Sequence, residues 1–306
     1  MSNGMTSPLV GQEPHGILGI NRRNRIIDEL NPRRHRPLAD DKILTKEILA
    51  SHGVPVAETY GVVASMGEVR RIERIIGDRE HFVIKPARGR AGFGIAVLGP
   101  KQDGGWKGPS PENLWQERDI RRRLGDILSG DYARRTRDRA LIEERLFPGS
   151  ILGNLQVIGL PDIRIITLDG NPMMGMVRLP TKQSGGKANL HLGAIGVGID
   201  LETGRSTSAS SRNGCLTHHP ESHERLAGLP VASWDLVMET TRAVARALPL
   251  RYLGIDIAIA QDQKPVVLEV NVRPGLEIQN VNQRGLRIEV DRILTGPAAG
   301  DNGVVA

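Results

Sequence analysis

The stretch VVLEVNVRPGLEIQN, residues 266–280, begins as a β-branched apolar run and then carries Glu269 and Asn271 at alternate positions. Alternate residues of a strand share a face, so this carboxylate and amide point the same way. Burying a lone carboxylate costs several kcal/mol or more without a positive partner. Asp256, in the preceding apolar run GIDIAIA, supplies a second carboxylate. If the two runs pair as a hairpin, three oxygen-bearing side chains converge on one face. Two like charges then sit across neighbouring strands, which is destabilising without a cation. Mg²⁺ suits such a set, with Mn²⁺ as a substitute, because it accepts a few carboxylates and completes its shell with phosphate oxygens. The plain alternative is a polar face of an edge strand turned to solvent, and the pattern alone does not separate the two. The metal reading predicts an even loop, with Gln261 opposite Lys264 and Asp262-Gln263 as the turn. A one-residue slip would turn Asp256 away unless a bulge restored it.

A second group lies in VIKPARGRAGFGI. Lys85 ends an apolar run, and Gly89, Gly92 and Gly94 follow. Glycines let backbone N–H groups close on phosphate oxygens, and lysine adds a point charge. The lysine precedes the loop and a strand follows it, which excludes both the P-loop and the dinucleotide fingerprint. Taken alone, the segment is read more simply as a plain glycine-rich hairpin without ligand. Arg164 and Arg178 fall in DIRIITL and PMMGMVRLP; Asp162 and Arg164 are two apart and must share a face. Cys215, His218, His219 and His223 match no common zinc spacing.

The elements that must position these groups are strand pairs with a few helices between them, an α+β arrangement. Asp40 or Asp41 can cap a helix running to His52 with Leu44 and Ile48 on one face, and Ser233 can cap another carrying Val237, Val244 and Leu248. Residues 99–139 read as a basic surface insertion with one short helix, RRRLGDIL being its exposed face. Residues 1–15 and the tail from about Gly296 read as disordered. Of 306 residues, 39% are hydrophobic and 25% charged, with net charge +6. Aromatics at 3% are too few for base-stacking platforms, which argues against nucleic acid as a partner. No apolar run approaches the ~20 residues of a membrane span, the start lacks a secretory pattern, and one cysteine leaves no intrachain disulfide; a cytoplasmic address is expected.

Taken in order, the lysine strand and glycine loop, LIEERL, DIR, the turn KANLH, Asp256 and the Glu269–Asn271 pair resemble the ATP-grasp superfamily. The likeness is to its alpha-L-glutamate ligase-like branch, related to the ligase that adds glutamate to a ribosomal protein. LADDKILTKEILASHGVPVAETY is similar to that branch's lead-in helix and strand. HPESHERLAGLPVASWDLV resembles the sugar-transfer-associated ATP-grasp pattern. The resemblance runs from about residue 16 to 290 and implies an ATP-grasp fold, two lobes of antiparallel sheet and helices clasping ATP. It implies a partly disordered lead segment 1–38, a smaller lobe 39–145 containing the basic insertion 99–139, a larger lobe 146–290 with the metal site, and a disordered tail 291–306. The N-terminal domain usual in the superfamily is not expected, since only about forty residues precede Asp41.

Carried across by position, Lys85 and, with it, Lys42 would hold nucleotide phosphates with Gly89, Gly92 and Gly94. Glu143, Glu144 and Leu146 would form the hinge that meets adenine, and Asp162 would reach ribose. Lys187 and Asn189 would reach phosphate, although the ribosomal-protein ligase has an arginine in place of Lys187. Asp256, Glu269 and Asn271 would bind Mg²⁺, and Arg178 or Arg273 would stabilise an oxyanion. The implied activity joins a carboxylate, such as glutamate or a similar amino acid, to an amine acceptor through an acylphosphate. The alternatives are a nucleotide-binding regulatory module without transfer and a basic polyanion- or RNA-binding protein.

Overall fold

The structure is a computed structural model, and residues 16–89, 92–108 and 114–295 are described. The lead-in consists of α1 (Ile20–Leu30), α2 (Pro37–Asp40) and α3 (Lys42–Ser51). The smaller lobe contains β1 (Thr59–Val63), α4 (Met66–Val69), α5 (Glu73–Ile76), β2 (Phe82–Pro86), β3 (Ala96–Leu98), β4 (Lys101–Gln102), β5 (Gly105–Lys107), β6 (Leu114–Trp115), α6 (Glu117–Ser129) and β7 (Ala140–Glu143). The larger lobe contains β8 (Asp162–Leu168), β9 (Asn171–Leu179), β10 (Ile195–Ile199), β11 (Ser206–Ser211), β12 (Gly214–Leu216), α7 (Trp234–Ala247), β13 (Tyr252–Ile259), β14 (Pro265–Asn271), α8 (Glu277–Asn282) and α9 (Arg287–Thr295). The smaller lobe's sheet has the order β1-β7-β2-β3, and the larger lobe's β12-β11-β10-β9-β8-β13-β14, with antiparallel pairing between the named strands. The fold is α+β, as expected.

Strand parity divides the large sheet into two faces. Ile163, Ile165, Val177, Ile255 and Ile257 pack against Val237 and Val244 of α7. On the other face, Ile166, Leu168, Met174, Met176 and Tyr252 are covered by Leu18, Ile26 and Ile27 around α1, Ile278 and Val281 of α8, and Val290 of α9. That apolar cover occupies only part of the face. The same face continues through Asp162, Arg164, Arg178 and Asp256, where charge replaces hydrocarbon.

The described part of the lead segment, from residue 16, is therefore built into the larger lobe. Burying Leu18, Ile26 and Ile27 contributes about 1.5–3 kcal/mol each before entropy costs. Asn31 fixes the join: its Nδ2 donates to the Tyr252 carbonyl at 2.7 Å, and its Oδ1 accepts from the amides of Arg251 and Tyr252 at 2.9 and 3.1 Å. The expected disorder from 291 onward is corrected, because 291–295 complete α9. The expectations for residues 1–15 and 296–306 lie outside the described residues.

Three further local expectations change. The 99–139 segment contains β4, β5 and β6 as a small sheet and a 13-residue α6, whose Ile120, Leu124 and Ile127 are fully buried in the small lobe's core. It is an amphipathic structural helix, not a surface insertion. In α3, Asp41 caps by accepting from the amides of Ile43 and Leu44, but Ile43, Thr45 and Leu49 are the buried residues, with Leu44 and Ile48 half-buried. Ser233 makes no side-chain cap; its hydroxyl donates to the Gln263 carbonyl at 2.6 Å, tying α7 to the β13–β14 turn.

That turn departs from the predicted register. Ala260 pairs with Lys264, leaving a three-residue loop, Gln261 to Gln263, whose last residue has φ 65°. Ile257 pairs with Val267, yet Asp256 pairs with Glu269. Leu268 is the extra residue, a β-bulge that reverses the parity shift caused by the odd loop. Val267 consequently faces the α7 side while Glu269, two residues on, faces the charged side.

Candidate nucleotide and metal site

The charged face is one continuous layer across four strands. Arg178 on β9 pairs with Asp162 on β8, Arg164 on β8 with Asp256 on β13, and Asp256 with Glu269 on β14; Asn271 is opposite Gly254. Arg178 grips Asp162 through two contacts of 2.6 Å. Arg164 grips Asp256 through two contacts of 2.7 and 2.6 Å, and Arg178 adds a third at 2.8 Å. These bidentate forks are the strong form of charge-assisted hydrogen bond. Glu269 is met by Lys42 from α3 at 3.1 Å.

Arg178, Arg164 and Lys42 thus balance Asp162, Asp256 and Glu269, three charges of each sign. The expected repulsion between Asp256 and Glu269 is met by side chains and does not require a metal. Burial pushes the Asp162 carboxyl up to about 6, with Arg178 opposing it and the Asp256 charge reinforcing it. Burial also acts to raise Asp256, but Arg164 and Arg178 overcome it and hold that carboxyl at about 2. Asp162 and Asp256 respond in opposite directions because two arginines converge on Asp256 and one on Asp162. Burial would lower the Arg178 guanidinium, and Asp162 and Asp256 raise it well above the usual value.

Across the cleft, Glu143 of β7 is buried between Lys85 of β2 and Lys46 of α3, the latter at 2.6 Å. Burial acts to raise Glu143, and the two ammoniums overcome it, leaving it lowered. Burial lowers Lys46 against the pull of Glu143. The two partners' shifts pull opposite ways for one ion pair; the short contact and the second lysine favour the charged form. Lys46 was not anticipated. Its signal was its place one helical turn after Lys42, which puts both ammoniums on one side of α3.

Lys42 joins the lobes. It donates to the Gly89 carbonyl at 2.9 Å as well as to Glu269. Gly89 permits this close turn, since a Cβ there would lie 2.3 Å from Cγ of Pro86. Gly94, at φ +79°, lies against Tyr132, and its carbonyl accepts from Arg123 at 3.3 Å. Gly92 has φ +74°. The glycine loop between 89 and 92 lies outside the described residues.

The remaining candidates separate. Asp162 is buried with both oxygens on Arg178, so it does not offer a free carboxylate to ribose. Glu143 ends its strand; Glu144 then exchanges contacts with Glu58, donating its amide to the Glu58 carbonyl at 2.9 Å, and Leu146 is half-buried. Lys187 is exposed, and Asn189 is half-buried, its side chain accepting from the His191 amide at 3.0 Å. Their loop joins β9 to β10 at the Arg178 end of the sheet. Arg273 is exposed beyond β14, outside the ion-pair layer. Among the described residues no group of three His, Cys, Asp or Glu forms a metal cluster. His219 is buried, its Nδ1 accepting from the amides of Glu221 and Ser222.

The oxygen set still fits a hard divalent ion. Asp256, Glu269 and Asn271 share a face; the Asn271 Nδ2, a donor that does not itself ligate a cation, is buried without a hydrogen-bond partner. A carboxylate has about four acceptor positions, and three guanidinium contacts leave Asp256 one. A small cavity between α3 and β14, lined by Lys42, Lys46 and Glu269, adjoins this set.

A family model described as sugar-transfer associated ATP-grasp matches residues 21–294. No curated protein matches the chain. Similar solved structures include phosphoribosylamine–glycine ligase from Thermotoga maritima, 15% identical with TM-score 0.51, over 86% of this chain and 55% of that one. D-alanine–D-alanine ligase from Bacillus anthracis, complexed with ATP, is 14% identical with TM-score 0.47, over 84% and 65%. The ATP-grasp ligase PsnB, complexed with a minimal precursor, is 15% identical with TM-score 0.45, over 87% and 63%. The chain spans less than two thirds of the length of each of these structures. Among the described residues no helix is long and apolar enough to cross a membrane.

Proposed function

The chain belongs to the sugar-transfer-associated ATP-grasp family, and from that premise we propose that it is an ATP-dependent ligase joining a carboxylate to an amine. The observation that carries this reading is Lys42. It contacts the glycine loop of one lobe and Glu269 on the oxygen face of the other, which is where a nucleotide triphosphate between the lobes would need a cation. Lys85 and Lys46 supply two more positive groups from the same side. Asp256, Glu269 and Asn271 would hold Mg²⁺, whose contribution when bound is to neutralise charge on the phosphoryl oxygens.

The protein's own task is positioning and charge compensation, with little covalent chemistry. Triphosphate entering between Lys42 and Lys85 takes over contacts that Glu269 and Glu143 now make, which frees Glu269 toward the oxygen face. Arg178 is held by two carboxylates, so its guanidinium is oriented and cannot wander. Its remaining N–H capacity suits an oxyanion at the acyl carbon. Arg273 lacks such bracing. Glutamate or a similar amino acid is one carboxylate the reading admits.

An ADP-release screen over amino acids and polyamines with Mg²⁺ tests the activity. The reading expects ADP formation that requires both a carboxylate and an amine. Nucleotide binding without release under any pair would favour a regulatory module.

A further inference from the structure

The charge of the molecule is unevenly placed. Between Met66 and Arg139 the sequence has seventeen Lys and Arg against eleven Asp and Glu, so this segment carries the whole net charge of +6. Arginines outnumber lysines there fourteen to three. The fold gathers them. The buried side of α6 is Ile120, Leu124 and Ile127, so its outer side presents Arg118, Arg121 and Arg122. α4, α5 and the turn between them pack beside it and expose Arg70 and Arg71 in the turn and Arg74 on α5; Arg121 donates to the Arg70 carbonyl at 3.2 Å, joining the two surfaces.

Part of this charge is compensated locally: Arg121 meets Glu117 and Glu73, and Arg122 meets Asp119. Arg70, Arg71, Arg74 and Arg118 have no carboxylate partner among the described residues. Like charges within a Debye length of about 10 Å repel, so grouping them on adjoining helices costs stability unless something anionic uses them. The face also leads to the candidate site. Arg123, one residue past Arg122, reaches the Gly94 carbonyl, and exposed Arg134 and Arg135 lie in the loop that follows α6, where Tyr132 packs on Gly94.

We infer that this arginine face docks an acidic polypeptide, a run of Asp and Glu side chains whose reacting group is thereby delivered to the cleft. The inference rests on the ligase reading only for that delivery. Guanidinium forks match carboxylates two bonds at a time, which suits arginine over lysine. Nucleic acid is the poorer partner. Among the described residues near the face, Trp115 and Tyr132 are covered by Arg123 and Tyr60 by Arg79; Phe93, beside Gly94, is exposed, and a single ring does not make a row of stacking platforms.

The test measures fluorescence anisotropy with labelled poly-L-glutamate, polygalacturonate and single-stranded RNA, at low and high NaCl. Wild type should bind polyglutamate tightest, and high salt should weaken binding at least tenfold. The variant Arg70→Gln/Arg74→Gln/Arg118→Gln/Arg122→Gln should lose at least tenfold in affinity. Arg242→Gln/Arg246→Gln, exposed on α7, should lose none. Absent binding, binding unchanged in the fourfold variant, or tighter binding of RNA or polygalacturonate would overturn the proposal. The ATP-induced thermal shift of the fourfold variant is measured alongside. It should equal that of wild type, and it reports on the nucleotide site separately from docking.

Discussion

Asp256 and Glu269 are direct cross-strand neighbours even though the hairpin joining their strands has an odd, three-residue loop. The bulged Leu268 makes this so, and it sets which groups can share a ligand.

Deleting Leu268 should therefore leave Glu269 where it is. With Val267 and Glu269 adjacent, strand alternation still turns Val267 to the α7 side and Glu269 to the charged side, opposite Asp256. We expect urea unfolding to change by no more than about 1–2 kcal/mol, the loss of one half-buried leucine, with metal-dependent nucleotide binding retained. Loss of that binding in a folded deletion variant would show that the bulge itself shapes the site.

Glu269→Gln should separate folding from function. The Glu269 side chain is 33% exposed in its pair with Lys42, so its contribution to stability should stay below about 1 kcal/mol. ATP turnover with Mg²⁺ should fall at least tenfold, because an ionised oxygen donor is lost. Equal losses in chemical denaturation and turnover would make Glu269 a structural residue only.

Arg164 should behave oppositely. Replacing it with Met leaves buried Asp256 dependent on Arg178 alone, and breaking such a pair costs about 3–5 kcal/mol. Thermal or urea unfolding measures this directly. A change under about 1 kcal/mol would mean that Arg178 and solvent suffice for Asp256.

The two aspartates give a signed pH dependence. Asp256, held at about 2 against its ordinary 3.8, contributes stability that is present above pH 4 and lost as pH falls through about 2. Asp162, pushed up to about 6, is favoured in its protonated form by the fold. Its contribution is fully present below its ordinary value and is lost as pH rises through about 6. Relative to Asp162→Asn, wild type should therefore lose stability between pH 4 and pH 6. A gain over that window would mean that Arg178 outweighs burial at Asp162.

Strand parity made much of this site legible. Period-two spacing alone puts Asp162 with Arg164 and Glu269 with Asn271, and the apolar runs around them marked β8, β13 and β14. The Leu268 bulge was not legible, because an odd and an even loop fit Ala260 to Lys264 equally well. Ion partners were hidden for a related reason. Arg164 meets Asp256 ninety-two positions away, and only the strand order β9-β8-β13-β14 brings them together. Lys46, and the apolar positions Ile120, Leu124 and Ile127 of α6, did carry a helical signal; the surrounding arginines and lysines masked it. Likewise Leu18, Ile26 and Ile27 are apolar residues in an arginine-rich lead whose burial depends on a sheet far along the chain.

The central claim is that a nucleotide triphosphate binds between Lys42 and Lys85, and thermal unfolding with and without ATP and Mg²⁺ tests it most directly. A ligand that binds only the folded state stabilises it by mass action. Wild type should melt at a higher temperature with millimolar ATP and Mg²⁺, and Lys42→Met and Lys85→Met should each lose most of that shift while remaining folded without nucleotide. No shift in wild type, or equal shifts in all three proteins, would contradict the account.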